Sequence, residues 1–178
     1  MKVSEEELYA KASKIKLLLL DVDGVLTNGE IIITSSGEEV KIFSVIDGMG
    51  IKLLQKAGVE VGIISSRYSK VTALRAKELG MSLVFQGKIE KLKVFEEILE
   101  RKNLFPEEVA YMGDDLVDLP ILRRVGLAIG VPNGCYPVNE YVHYVTSAPG
   151  GRGAVREVCE LIIKAKGLWE SIVSSYLV

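Results

Sequence analysis

Histidine, tryptophan and cysteine are nearly absent: the 178 residues contain one histidine, one tryptophan and two cysteines. Cys135 and Cys159 form no metal-like cluster, so a cysteine-based zinc site is excluded. They read as reduced thiols of a cytoplasmic protein, with a single disulfide left open. His143, the lone histidine, reads as a strand or surface residue rather than a catalyst. There is no excess of one charge either. The net charge of −2 gives neither nucleic acid nor an anionic membrane a basic field to bind. No apolar run reaches the ~18 residues of a membrane span. The first ten residues, MKVSEEELYA, are acidic and polar, unlike a signal peptide. Repeats, low-complexity segments and linkers are missing, and the one loop-rich region runs from Pro132 to Pro149.

What remains fits one domain over residues 1–178, with 48% apolar and 26% charged residues. Ser4 followed by Glu5, Glu6 and Glu7 predicts a capped helix over residues 4–13. Ile15–Leu20 is a continuous apolar run, as in a strand buried on both faces. Gly29–Thr34 and Glu39–Ser44 flank Ser35-Ser36-Gly37 and predict a hairpin. Asp47 is placed to cap a helix that Gly58 ends. Further strands are expected at Val59–Ile64, Leu83–Phe85, Glu108–Met112, Leu127–Gly130 and Val142–Val145. Helices are expected from Ser69 to Gly80, Ile89 to Lys102 and Gly153 to Ala165, and the tail from Leu168 continues as helix or strand. This alternation predicts an α/β fold, a Rossmann-like doubly wound parallel sheet with its strand-to-helix loops at one edge.

Open α/β sheets bind ligands at that edge. Asp21 and Asp23 leave the first strand. Ser65, Ser66 and Arg67 leave the second, Lys91 follows the third, and Asp114 and Asp115 leave the fourth, with Asp118 one turn on. Residues two apart in an extended chain share a face, so Asp21 and Asp23 can share one site. Acids so close repel one another, and a hard divalent cation with oxygen ligands, Mg²⁺, resolves the conflict while bridging to a phosphate. A carboxylate is a competent nucleophile toward phosphorus, already ionised at neutral pH at its free pKa of ~3.9. A second carboxyl can protonate the leaving oxygen and then activate water. Each feature has a plainer reading. An Asp-x-Asp occurs in ordinary turns, Asp114 and Ser65 can cap helices, and Lys91 sits among Lys88 and Lys93 as on a solvated face. All of them at successive strand ends favours chemistry.

In these residues the chain resembles the haloacid dehalogenase superfamily of phosphohydrolases. Its four signatures are matched by Asp21-Val22-Asp23-Gly24-Val25-Leu26-Thr27, by Ser65, by Lys91 and by Gly113-Asp114-Asp115-Leu116-Val117-Asp118. The resemblance implies Asp21 as nucleophile and Asp23 as general acid/base. It places Mg²⁺ on Asp21, the Asp23 backbone carbonyl and Asp114, and the phosphoryl group on Ser65 and Lys91. Only about forty residues separate Asp23 from Ser65, which leaves no room for the cap domain common in that superfamily. The expectation is a capless fold with a small β-hairpin flap. The apolar hairpin (Ile31, Ile32, Ile33) and apolar tail can be oligomer contacts or can pack on their own subunit.

A narrower likeness is carried by Phe43-Ser44-Val45-Ile46-Asp47-Gly48-Met49-Gly50, Ser66-Arg67 and Gly150-Gly151-Arg152-Gly153-Ala154-Val155-Arg156-Glu157. These are similar to the 3-deoxy-D-manno-octulosonate 8-phosphate phosphatases, capless tetramers whose neighbouring subunits complete each site. That likeness implies a sugar-acid phosphate substrate from lipopolysaccharide precursor synthesis. It implies substrate contacts at Asp23, Ser44, Val45, Ile46, Asp47, Gly48, Lys52, Arg67, Arg75 and Lys91. Where the family commonly has Thr-Gly-Arg, this chain has Ser65-Ser66-Arg67. Alternatives are a nonulosonate 9-phosphate phosphatase, a phosphoacceptor receiver module and a degenerate binding protein. The intact acids, hydroxyl and lysine count against the last, and Lys91 after the third strand counts against the receiver.

Overall fold

The computed structural model of the protein describes residues 2–177. In chain order the elements are α1 (Glu5–Ser13), β1 (Leu17–Leu20), β2 (Ile32–Ile33), β3 (Glu39–Val40), α2 (Val45–Lys56), β4 (Glu60–Ile64), α3 (Lys70–Leu79) and β5 (Leu83–Phe85). They continue with α4 (Lys91–Lys102), β6 (Val109–Met112), α5 (Leu119–Leu122), β7 (Leu127–Gly130), β8 (Tyr144–Val145), α6 (Ala154–Ala165) and α7 (Trp169–Ser174). Six strands form one parallel sheet in the order β5-β4-β1-β6-β7-β8, with β1 paired to both β4 and β6. The strand order therefore reverses beside β1, and the crevice between the ends of β1 and β6 is the switch point where such sheets bind ligands. Strands β2 and β3 form a separate antiparallel hairpin.

The four leucines of β1 are fully buried and alternate between two cores. Leu18 and Leu20 face the layer of α1, α2, α3 and α6, while Leu17 and Leu19 face α4 and α5. Burying each side chain contributes about 1.5–3 kcal/mol, which holds the strand rigid up to its first acid. Ser4 caps α1 through a 3.2 Å bond from the Glu7 N–H, as the sequence predicts. No helix among the described residues is long and apolar enough to cross a membrane.

Three local expectations are corrected. The hairpin strands span two residues each rather than six, since only Ile32 and Ile33 pair, with Val40 and Glu39. Ser44 caps α2 by accepting the Asp47 N–H at 3.2 Å, so Asp47 is not the cap of its own helix. Its buried carboxylate instead accepts from Arg156 N–H at 2.8 Å and Gly153 N–H at 3.2 Å, capping α6, whose N-cap residue is a glycine with no side chain to do so. Helix α4 starts at Lys91 rather than Ile89, leaving residues 86–90 in a loop.

The tail folds back as helix, with Ile172 buried and Trp169 packed on the core. Lys164 lies over the Trp169 ring at 5.0 Å. The hairpin packs only through its polar residues, and its apolar side chains stay outside. Ile31, Ile32, Ile33, Val40 and Ile42 are exposed, as are Val45 and Ile46 at the start of α2.

Candidate active site

Asp21 is the first residue beyond β1, and its N–H is held by the Met112 carbonyl at the end of β6. Its Oδ1 accepts from Val22 N–H at 2.7 Å and lies 2.9 Å from Lys91 Nζ, while Oδ2 has no hydrogen-bond partner among the described residues. One oxygen is thus fixed and the other is available. Lys91 is buried and also donates to Asp118 Oδ1 at 2.7 Å, so it sits on no solvated face. Asp118 is fully buried and fully committed. Its Oδ1 also takes the Tyr111 hydroxyl at 2.7 Å, and its Oδ2 takes the N–H groups of Asp114 and Asp115 at 3.0 and 3.2 Å.

Burial and mutual repulsion dominate the electrostatics. Burial first, then Asp118, push Asp21 from its ordinary 3.8 up to about 6, although Lys91 opposes the rise. Burial, then Asp21 and Asp118, push Asp114 up to about 8. Burial alone would lower Lys91, but the charges of Asp21 and Asp118 outweigh it and the net direction is upward. Tyr111 is driven up by burial and then by Asp118. The free-aspartate value expected from sequence therefore does not hold for Asp21, because the fold removes its water.

Such a surplus of buried acid is what a cation relieves. One oxygen each of Asp21, Asp114 and Asp118 lies within 4.8 Å of the others. The donors are all hard carboxylate oxygens, which suits Mg²⁺. Both oxygens of Asp118 are already engaged, one by Lys91 and Tyr111 and the other by the Asp114 and Asp115 N–H groups. Asp115 is exposed and caps its own turn, its Oδ1 accepting from Leu116 N–H at 2.7 Å and Cys135 Sγ at 3.1 Å. Gly24 lets the two acid-bearing loops meet. Its φ is +94°, and a Cβ there would lie 1.9 Å from Asp114 Oδ2.

A cavity of about 160 Å³ opens over these acids, lined by Asp21, Asp23, Ser65, Ser66, Arg67, Asp114, Asp115 and Val117. Ser65 is buried, and its Oγ accepts the Arg67 N–H at 3.2 Å. The hydroxyl of Ser66 is buried with no partner, a state that buried polar groups rarely keep and that a phosphoryl oxygen would relieve. Asn103 is the one non-glycine with positive φ among the described residues, so serine at 66 carries no such strain.

Asp23 is held by two cations. Arg67 Nη1 donates to its Oδ2 at 3.1 Å, and Lys41 Nζ donates to its Oδ1. Glu39 closes a ring, 2.8 Å from Arg67 and 3.6 Å from Lys41. Sequence reasoning missed Lys41, Glu39 and Tyr111. The first two sit in a hairpin read for its apolar residues, and Tyr111 sits inside a strand read as core. The alternation of β3 placed charges there, and that was the available signal.

The remaining expected substrate residues form a second group that does not line the cavity. Arg75 donates to the Ser44 carbonyl at 3.2 Å and lies over the Phe43 ring at 6.0 Å. A Cβ on Gly48 would meet Arg75 Nη2 at 2.3 Å. Val45, Ile46 and Lys52 are exposed, and Asp47 is turned inward to α6.

Comparison with known proteins fits this arrangement. Residues 63–156 match the haloacid dehalogenase-like hydrolase model. Over 161 residues, 90% of this chain and 86% of the relative, the sequence is 45% identical to the 3-deoxy-D-manno-octulosonate 8-phosphate phosphatase KdsC of Escherichia coli. The chain belongs to the haloacid dehalogenase-like hydrolases, in the branch of these phosphatases. Among solved members of the family, the Moraxella catarrhalis 3-deoxy-D-manno-octulosonate 8-phosphate phosphatase, in complex with magnesium ion, phosphate ion and KDO, is 42% identical. It superimposes with a TM-score of 0.95 over 97% of this chain and 99% of that one. A probable phosphatase of the YrbI family from Pseudomonas syringae gives 46% identity and a TM-score of 0.96 over 98% of this chain and 99% of that one. The six-stranded parallel sheet expected from sequence is thus the sheet of the family, and the receiver reading falls.

Proposed function

We propose that the protein is a Mg²⁺-dependent phosphomonoesterase that hydrolyses 3-deoxy-D-manno-octulosonate 8-phosphate to the free sugar acid and phosphate. The observation that carries this is Asp21, gripped through one oxygen by Lys91 and Val22 and free at the other, at the floor of the acid-lined cavity. Asp21 and Asp114, with the Asp23 backbone carbonyl, would hold the cation. When bound, it supplies the positive charge that lets a carboxylate approach an anionic phosphoryl group.

Ser65, Ser66 and Lys91 receive the phosphoryl oxygens. Asp21 Oδ2 attacks phosphorus, the bond to the sugar oxygen breaks, and the Asp23 carboxyl gives its proton to that oxygen. Asp23, now a carboxylate, takes a proton from water. The water oxygen attacks phosphorus, the bond to Asp21 breaks, and phosphate leaves with both aspartates restored. Arg67 offers a planar fork to the substrate carboxylate.

The second residue group serves a neighbouring copy. Ser44, Val45, Ile46, Gly48, Lys52 and Arg75 do not line this subunit's cavity, and Ser44, Val45 and Ile46 follow directly on the exposed apolar hairpin. The reading is a cytoplasmic homotetramer in which that surface closes the next subunit's site, since an uncovered cavity would admit bulk water. The test is kcat/KM across sugar-acid phosphates with Mg²⁺, beside Asp21→Asn. The eight-carbon substrate should lead the panel and the variant should be inert. An active Asp21→Asn would exclude attack by Asp21.

A further inference from the structure

The proposed chemistry leaves the Lys41 side chain without a role. It comes from the hairpin, 18 residues beyond Asp23, yet only 2% of it is exposed. The two cations on Asp23 differ in kind. Arg67 is 41% exposed on its side chain and lines the cavity, whereas Lys41 is enclosed and does not. Each cation holds a different carboxylate oxygen, with Lys41 on Oδ1 and Arg67 on Oδ2. Glu39 bridges the two cations from the same hairpin, so the ring carries no net charge. Oδ2 is therefore held by the cation that lines the cavity, and Oδ1 by the one that is enclosed.

We propose that Lys41 is the positioning residue of Asp23, fixing Oδ1 so that Oδ2 faces the leaving oxygen, while Arg67 is the exchangeable partner that an anionic substrate draws away. The inference rests on the acid role given to Asp23 above. An arriving carboxylate or phosphate competes for the exposed guanidinium, which releases Oδ2 toward the leaving oxygen. The enclosed ammonium stays in place and keeps the carboxyl from rotating. Two fixed points would hold the carboxyl away from the leaving oxygen, and one leaves it aimed.

Leaving-group dependence separates this role from a structural one. kcat/KM reports the steps through departure of the leaving group. A p-nitrophenolate departs without a proton, whereas a sugar alcohol needs one. In Lys41→Met and in Lys41→Gln, kcat/KM for the sugar-acid phosphate should fall about 10- to 100-fold while that for p-nitrophenyl phosphate changes less than about 3-fold. Lys41→Arg, which keeps the charge, should recover most of the loss. Equal losses on both substrates, or no loss, would overturn the role of Lys41. Asp23→Asn is run alongside. If it shows the split and the Lys41 variants do not, only this inference fails. If Asp23→Asn itself lowers both substrates equally, the acid role fails first.

Discussion

Lys91 donates to Asp118 at 2.7 Å and lies 2.9 Å from Asp21, so one buried ammonium joins the acid that ends β1 to the acid that follows β6. Removing it leaves two buried carboxylates facing each other. Lys91→Met should cost about 3–5 kcal/mol in urea unfolding without metal. It should also reduce phosphatase turnover to background. A variant as stable as the parent would show that the pair is solvated.

The raised acids make metal binding and pH interdependent. Asp114 at about 8 and Asp21 at about 6 hold protons in the folded chain that the same groups release near 3.8 when unfolded. The folded state therefore binds more protons between those values, and metal-free stability falls as pH rises from about 4 toward 8. A cation replaces those protons. At 100 times its Kd it adds about 2.7 kcal/mol, or a Tm rise of about 5–11 °C for a chain of this size. Thermal melts should show the Mg²⁺ increment larger at pH 8.5 than at pH 6. Equal increments at the two pH values would mean that the acids are ionised before metal arrives.

Ser66 offers a test of the phosphate end. Its hydroxyl is buried and without a partner, so Ser66→Gly removes nothing that stabilises the free protein. If the hydroxyl meets a phosphoryl oxygen, its loss should raise the inhibition constant of inorganic phosphate about 10- to 100-fold, the worth of one hydrogen bond to a charged group. Tm should stay level or fall slightly from added backbone freedom. An unchanged inhibition constant would place the hydroxyl away from phosphate.

Shared sites have a distinctive signature. Asp21→Asn and Arg75→Ala should each be inactive, but their mixture, unfolded and refolded together, should regain activity, because some cavities then combine an intact Asp21 with an intact Arg75 from the next copy. Light scattering should give the mass of four chains, and Ile33→Lys with Ile42→Lys should lower it, since both side chains are exposed on the hairpin. No recovery in the mixture would assign Arg75 to its own subunit.

Much of this protein was readable along the chain because its information is local. Apolar runs bounded by glycines and capping serines mark the strands and helices, and Asp21, Asp23, Ser65, Lys91 and Asp114 follow successive strands, so a parallel sheet must gather them at one edge. The sheet alone did not reveal which acids keep an oxygen free and which are fully engaged. Asp118 reads as one more acid of the row, and only the fold shows that four hydrogen bonds engage both its oxygens.

The tertiary structure decided what depends on partners distant in sequence. Asp47 sits where a sequence reader places a cap on α2, but it caps α6, more than a hundred residues away, because Ser44 already serves α2 and Gly153 has no side chain. Lys41 reads as one polar residue of a hairpin, and only the closure of that hairpin onto the β1 loop carries its ammonium to Asp23. The shift of Asp21 and Asp114 away from ordinary aspartate values has the same origin. Charge and spacing are written in the sequence, but desolvation is a property of the packed fold, and it is desolvation that turns a row of acids into a site that demands a cation.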